Sequence, residues 1–261
     1  MPDYPVIAFI PGYTPEDHMG TPLVPVDPDD HTKGYIPPTP SDNGTDTMIT
    51  YTADKQKGSV SYVDDTTGKT LKTDSISGTT GSKSSYSTGG SIADYKKQGY
   101  KLVTDGYPAD LTFDNDDTTD QNFTVHLKHQ NIQSTEAKTL TETIHYQGAG
   151  NQTPADNTAQ VTFTRQVSTD TVTGEKTYGS WSADQSFAAV TSPVIKGYTP
   201  DQAEIGARTV SGDDSDLDFT VIYTKDAPAK PVQAGQAAAT NFVDQRLPQT
   251  GETDQQHMSS P

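Results

Sequence analysis

Phe123-Thr124-Val125-His126-Leu127 returns later in the chain as Phe219-Thr220-Val221-Ile222-Tyr223. Both runs set large apolar side chains at every second position, the period of a strand with one buried face. A looser third copy, Met48-Ile49-Thr50-Tyr51-Thr52-Ala53-Asp54, aligns with Val221-Ile222-Tyr223-Thr224-Lys225-Asp226. Working outward, Gly99-Tyr100 and Gly197-Tyr198 stand 24 and 22 residues before the two Phe positions. Val60-Ser61-Tyr62-Val63 and Val161-Thr162-Phe163-Thr164 stand 39 and 36 residues before those glycines. Three landmarks in one order mark two related modules.

In the first module, a strand at Ser59–Asp64 meets the turn Asp65-Thr66-Thr67-Gly68-Lys69, where Gly68 can take φ > 0. A second strand follows around Lys69–Ser75. Ser91 is a fitting N-cap, Ile92 and Tyr95 share a face, and Gly99 suits the C′ position, so a short helix is predicted. Strands Tyr100–Thr104 and Asn122–Lys128 close the unit. Two strands, a helix and two strands is the order of a β-grasp (ubiquitin-like) fold. The second module adds an alternating strand, Leu140–Tyr146, ahead of the Val161 strand, and has its own turn at Asp170–Glu175. Phe187-Ala188-Ala189-Val190 reads as a weak helix or a bent strand.

The expected class is therefore β-rich α+β. Elongated tandem β-grasp modules, with mixed or antiparallel sheets and one short helix, are joined by extended linkers. Residues 1–55 read as a Pro-rich acidic linker plus the closing strand of a preceding module. Residues 56–130 form a β-grasp subdomain, 131–226 a longer β subdomain, and 227–261 a disordered tether. Residues 1–46 hold ten of the 18 prolines, eight Asp/Glu and one Lys, which favours extended chain, with Gly34–Pro40 as a stiff spacer.

Composition narrows the function. The hydrophobic share of 30% allows only a thin core. A net charge of −17 argues against nucleic acid and against direct binding to an anionic membrane. With no Cys, disulfides, thiol catalysis and Cys-ligated zinc are excluded. Met1-Pro2-Asp3-Tyr4 has neither the basic start nor the apolar run of a secretory signal.

Near the C-terminus, Leu247-Pro248-Gln249-Thr250-Gly251 resembles the sorting signal of Gram-positive surface proteins. In that family a sortase cuts between Thr and Gly and joins the Thr carbonyl to peptidoglycan. Pro248 fixes its own φ and biases Leu247 toward extended chain, as a protease-like cleft requires. The order of Gly12-Tyr13-Thr14-Pro15, Lys33-Gly34-Tyr35-Ile36-Pro37-Pro38-Thr39-Pro40, Tyr62-Val63-Asp64-Asp65-Thr66-Thr67-Gly68-Lys69 and Gly197-Tyr198-Thr199-Pro200 resembles the mucus-binding (Mub, MucBP-containing) repeats of lactobacillus surface adhesins. Val161–Arg165, Val172-Thr173-Gly174-Glu175 and Trp181-Ser182 also match. The resemblance implies a cell-wall-anchored, extracellular adhesin binding host mucin glycans, multivalent and non-catalytic. Some members also bind immunoglobulin, and a structural stalk is a third role.

Candidate contacts are few. Trp181, the only Trp, offers a face for sugar stacking or a cap for a small core. Tyr86 lies in the Ser/Gly-rich loop Ser82–Gly90, whereas Tyr62, Tyr100, Tyr198 and Tyr223 fall at strand positions and read as core. Asp114, Asp116 and Asp117 are weak calcium candidates, because Thr118 and Thr119 fall where an Asp-x-Asp-x-Asp-Gly loop needs a ligand and Gly. On a strand, His126 and His129 point to opposite faces and make no metal site. No nucleophile elbow, Walker or dinucleotide motif occurs, so neither an enzyme nor a cofactor is expected.

Overall fold

The computed structural model describes residues 4–40 and 46–229, so the Leu247–Gly251 signal lies outside the described residues. The described residues divide into two compact units, one of residues 4–40, 46–132 and 170–175 and one of residues 133–169 with 176–229. No helix among the described residues is long and apolar enough to cross a membrane.

The first unit opens with β1 (Tyr13–Glu16) and β2 (Thr50–Ala53), an antiparallel pair. Then follow β3 (Lys55–Asp64), β4 (Lys69–Thr79), α1 (Gly89–Lys97), β5 (Tyr100–Asp105) and β6 (Gln121–His129). The main sheet has the order β4-β3-β6-β5. β3 pairs antiparallel with β4 across the expected turn and parallel with β6, Gly58↔Gln121 through Asp64↔Leu127. First and last strands, parallel and central, with a hairpin and a helix between them, make a β-grasp module. Alternation does what it predicts: Val60, Tyr62, Val125 and Leu127 are fully buried and pack with Ile92 of α1. Each such side chain contributes roughly 1.5–3 kcal/mol.

Two local details differ from the sequence expectation. α1 begins two residues before Ser91, at Gly89, and Thr88 holds the N-cap position without a side-chain cap bond. The Thr88 hydroxyl instead donates to Asp105 Oδ2 at 2.6 Å, which ties the helix start to β5. The Gly34–Pro40 run does not stand free as a spacer. Tyr35 is 4% exposed and forms isolated bridges with Ile7 and Pro25, and the buried Leu23 belongs to the same segment. Proline carbonyls still accept hydrogen bonds, so a small apolar centre suffices to fold the proline-rich chain.

The second unit contains most of β7 (Asn131–Gln147), β8 (Asn157–Asp170) and all of β9 (Lys176–Tyr178). Short strands β10 (Gln185–Phe187), β11 (Val190–Thr191), β12 (Tyr198–Pro200), β13 (Glu204–Ile205) and β14 (Arg208–Val210) precede β15 (Leu217–Lys225). The sheet order is β12-β15-β7-β8-β9, and β15 runs parallel to β7 from Leu217↔Glu142 to Ile222↔Gln147. Thus β7, β8, β12 and β15 take the places that β3, β4, β5 and β6 hold in the first unit. The Val161–Thr164 landmark therefore lies in the second strand, and Leu140–Tyr146 is the true first strand. Among the described residues of this unit the α-helix has no counterpart. Phe187 and Val190 fall in β10 and β11, which pair with β14 and β13 to cover Ile144, Phe163, Phe219 and Val221.

Candidate functional site

The open faces of the two sheets carry the same chemistry. On β3, Gln56, Val60, Tyr62 and Asp64 are buried, so Lys57, Ser59 and Ser61 turn to the other face. Register sets Ser59 between Ser75 and Asn122, and Ser61 between Thr73 and Thr124. Ser59 Oγ donates to Asn122 Oδ1 at 2.7 Å, and the Ser61 and Thr73 hydroxyls lie 3.0 Å apart. Hydroxyls and amides held this way keep spare donors and acceptors for a ligand. A shallow groove of about 430 Å³ crosses this face, lined by Lys55, Lys57, Ser59, Ser75, Ser77 and Asn122 among others.

The second sheet repeats the pattern with glutamine and threonine. Gln133 donates to Ser168 at 3.0 Å, Gln166 to Thr135 at 3.0 Å, and Gln160 to Thr141 at 3.2 Å. The Thr139 and Thr162 hydroxyls are 3.2 Å apart. Sequence reasoning passed over these residues, although their alternation with the core positions was in plain view.

The candidates chosen for ring stacking are placed in packing roles. Trp181 is half-buried against the second core. The Arg165 guanidinium lies 4.3 Å from its ring centroid while Arg165 Nε donates to Glu136 at 2.8 Å. Gly212 packs so closely that a Cβ there would sit 2.2 Å from Trp181 Cγ. Tyr86 donates from its hydroxyl to Asp74 Oδ2 at 2.7 Å, and its oxygen lies 2.5 Å from that of Tyr62. Burial, then the Tyr62 and Asp74 oxygens, push its pKa far above the usual tyrosine value. Tyr62, Tyr100 and Tyr223 are core, as read, and Tyr198 is half-buried.

The acidic loop holds itself together. Asp116 N–H donates to Asp114 Oδ1 at 3.1 Å, Thr118 N–H to Asp116 Oδ1 at 2.9 Å, and Gln56 Nε2 to Asp117 Oδ1 at 2.6 Å. Among the described residues no group of three or more His or acidic side chains is gathered for a metal.

One cluster escaped the sequence entirely. His129 is buried, and its Nε2 lies 2.7 Å from Asp64 Oδ2 while its Nδ1 lies 2.6 Å from Asp170 Oδ2. The two carboxylates sit in matching turns of the first unit. Gly68 N–H bonds Asp64 O and Gly174 N–H bonds Asp170 O, each at 2.7 Å. Asp64 Oδ1 accepts from Thr66 N–H at 2.9 Å, and Asp170 Oδ1 from Val172 N–H at 2.8 Å. Burial works to lower the His129 pKa, but hydrogen bonds to Asp170 and Asp64 outweigh it and leave the net shift upward. Burial likewise works to raise Asp64, and the His129 and Thr66 bonds carry it down; the His129 bond lowers Asp170. Both ring nitrogens are committed, so the cluster is a structural clamp. His126 turns outward to Asp65, on the opposite face as its spacing requires.

Comparison with known proteins places this geometry. A family described as a mucin binding domain matches residues 56–129, and a Muc B2-like domain matches residues 131–227. The chain is similar to the crystal structure of Mub-RV, with 40% identity over 100% of that chain and 66% of this one, at a TM-score of 0.57. It is also similar to the type 2 repeat of the mucus binding protein MUB from Lactobacillus reuteri, with 42% identity, 100% and 66% coverage, and a TM-score of 0.50. No curated protein matches.

Proposed function

The chain belongs to the mucus-binding (Mub) repeat family, and from that premise we propose that it is a non-catalytic adhesin repeat that holds host mucin oligosaccharides on its polar sheet faces. The observation that carries this is the pairing of a mucin binding domain match with an adjoining Muc B2-like match, over modules that each turn a hydroxyl- and amide-rich face outward. Sugars present hydroxyls at fixed spacing, and a flat array of donors and acceptors answers them without a deep cleft. The ammonium groups of Lys55 and Lys57 add affinity for sugars bearing carboxylates. Single contacts of this kind are weak, so many repeats on one surface would multiply them. Leu247–Gly251 would supply the sortase-made peptidoglycan anchor, giving an extracellular, wall-attached location.

A glycan array, run with and without chelator, tests the reading. Binding is expected to be equal in both, because Asp114 and Asp116 accept from amides of their own loop and Asp117 accepts from Gln56 of β3. Lys57→Glu is expected to weaken it about tenfold, the effect of losing roughly 1.4 kcal/mol. Binding by Lys57→Glu equal to that of the parent chain would remove the groove from the proposal. A second reading has one observation in its favour. Among the described residues β4 is an eleven-residue edge strand of its sheet, the kind of element to which a protein ligand such as immunoglobulin would add a strand.

A further inference from the structure

Strand direction decides how the first sheet meets a pull along the chain. β3 and β6 lie side by side at the centre of the order β4-β3-β6-β5, and they run parallel. The chain enters this sheet at the start of β3, Lys55, and leaves it at the end of β6, His129. Those two points lie at opposite ends of the parallel pair. Tension along the chain therefore slides the strands past each other and does not peel them apart. Seven register positions, Gly58↔Gln121 through Asp64↔Leu127, resist the slide together, because evenly spaced parallel bonds share it. At the entry end a Cβ on Gly58 would lie 2.1 Å from Gln121 O, so glycine lets the two backbones close there. Val60, Tyr62, Val125 and Leu127 keep water off one side of the ladder.

The exit end is fastened by side chains as well. Asp64 Oδ2, at the end of β3, lies 2.7 Å from His129 Nε2, at the end of β6. Beside this contact Asp65 N–H donates to Leu127 O at 2.7 Å, and His129 N–H donates to Thr66 Oγ1 at 2.9 Å. Sliding carries Asp64 toward the entry end and His129 away from it, so the clamp is stretched from the first movement. A buried, charge-assisted bond is the strong kind. The second unit has the ladder without the fastening. There β7 and β15 run parallel from Leu217↔Glu142 to Ile222↔Gln147. Aligning Ile144↔Phe219 with Val60↔Phe123 sets Gly148 in the place of Asp64 and Lys225 in that of His129, which cannot form the clamp.

We propose that the β3–β6 pair, fastened by Asp64 and His129, is a load-bearing element that carries tension along the chain in shear and keeps the first unit folded while a held surface is pulled away. The use of such an element rests on the adhesin reading. Its test involves no mucin, so either can fail without the other.

The chain has no Cys, so two introduced thiols are the only attachment points for single-molecule handles. In the full chain, Lys55→Cys with Gln130→Cys loads the pair in shear, and Thr67→Cys with Gln130→Cys opens it from one end. All three side chains are exposed. At one loading rate the shear geometry is expected to unfold at no less than about twice the force of the other, where rungs break one at a time. At fixed force in the shear geometry, Asp64→Ala is expected to shorten the folded lifetime at least about tenfold. Ile92→Ala, which loosens α1 over the sheet and leaves the ladder whole, is expected to shorten it by less than about threefold. Equal unfolding forces in the two geometries, a comparison that needs no core variant, overturn the proposal. An Ile92→Ala effect as large as that of Asp64→Ala overturns the part given to the clamp.

Discussion

Asp64→Ala is expected to destabilise the first unit by about 3–5 kcal/mol, the cost of leaving a buried ionic partner alone. The substitution strips His129 Nε2 of its acceptor and leaves the Thr66 and Thr67 amides uncapped. The sign of its pH dependence follows from the shifts. His129 is raised above its ordinary 6.5, so its contribution is complete below that value and is lost as pH rises through the raised one. Asp64 and Asp170 are lowered below 3.8, so theirs is complete above that value and is lost as pH falls through the lowered ones. The clamp is strongest between those limits, where an imidazolium donates from both nitrogens. A neutral ring donates from only one and turns a lone pair toward the other carboxylate. Protection factors of the β3 and β6 amides, corrected for the intrinsic pH dependence of exchange, should therefore be higher in the parent chain at pH 5.5 than at pH 8.5, and Asp64→Ala should flatten that difference, the two pH values lying about one unit below and about two units above the ordinary histidine midpoint. A first unit as stable with Asp64→Ala as without it contradicts the clamp. Trp181 belongs to the second unit, so tryptophan fluorescence is the wrong probe for this comparison.

Gly99→Ala is expected to cost about 3 kcal/mol, against about 1–2 kcal/mol for Gly197→Ala at the matching corner. Both glycines hold positive φ, +102 and +86, so both substitutions carry the left-handed penalty. Only Gly99 is also crowded. A Cβ there would lie 2.4 Å from the Thr171 carbonyl oxygen, whereas nothing lies within 4 Å of one at Gly197. The Gly99 carbonyl further accepts from Gln130 N–H and from the Thr171 hydroxyl at 2.6 Å, so a shift to relieve the clash strains both bonds. Denaturant midpoints of the two variants measure the difference. Equal losses mean that the turn at Thr171 does not press on this corner.

How far the residues announced these features depends on whether the cause was local. Alternation in Phe123–Leu127 and Phe219–Tyr223 gave strand type and buried face, because a two-residue period needs only neighbours to be seen. The glycine turns at Gly68 and Gly174 were legible for the same reason. Rank within a sheet was not. Val161–Thr164 copies Val60–Val63 because each precedes an Asp-x-x-Thr-Gly turn, yet one lies in the second strand and the other in the first. Thr88 displaced Ser91 at the helix start through a hydroxyl bond to Asp105, which no window of sequence contains. His129 is joined to Asp64 and Asp170 across separations of 65 and 41 residues, so nothing nearby marked it. Trp181 drew notice as a lone aromatic, but its setting against Arg165 and Gly212 is a matter of tertiary packing.

The most direct test is binding of the folded chain to immobilised mucin before and after mild periodate oxidation of its sugars. Saturable binding to native mucin that disappears on oxidation is the predicted result. Binding that survives oxidation unchanged, or none to native mucin by a chain whose circular dichroism shows it folded, would contradict an oligosaccharide-holding sheet face.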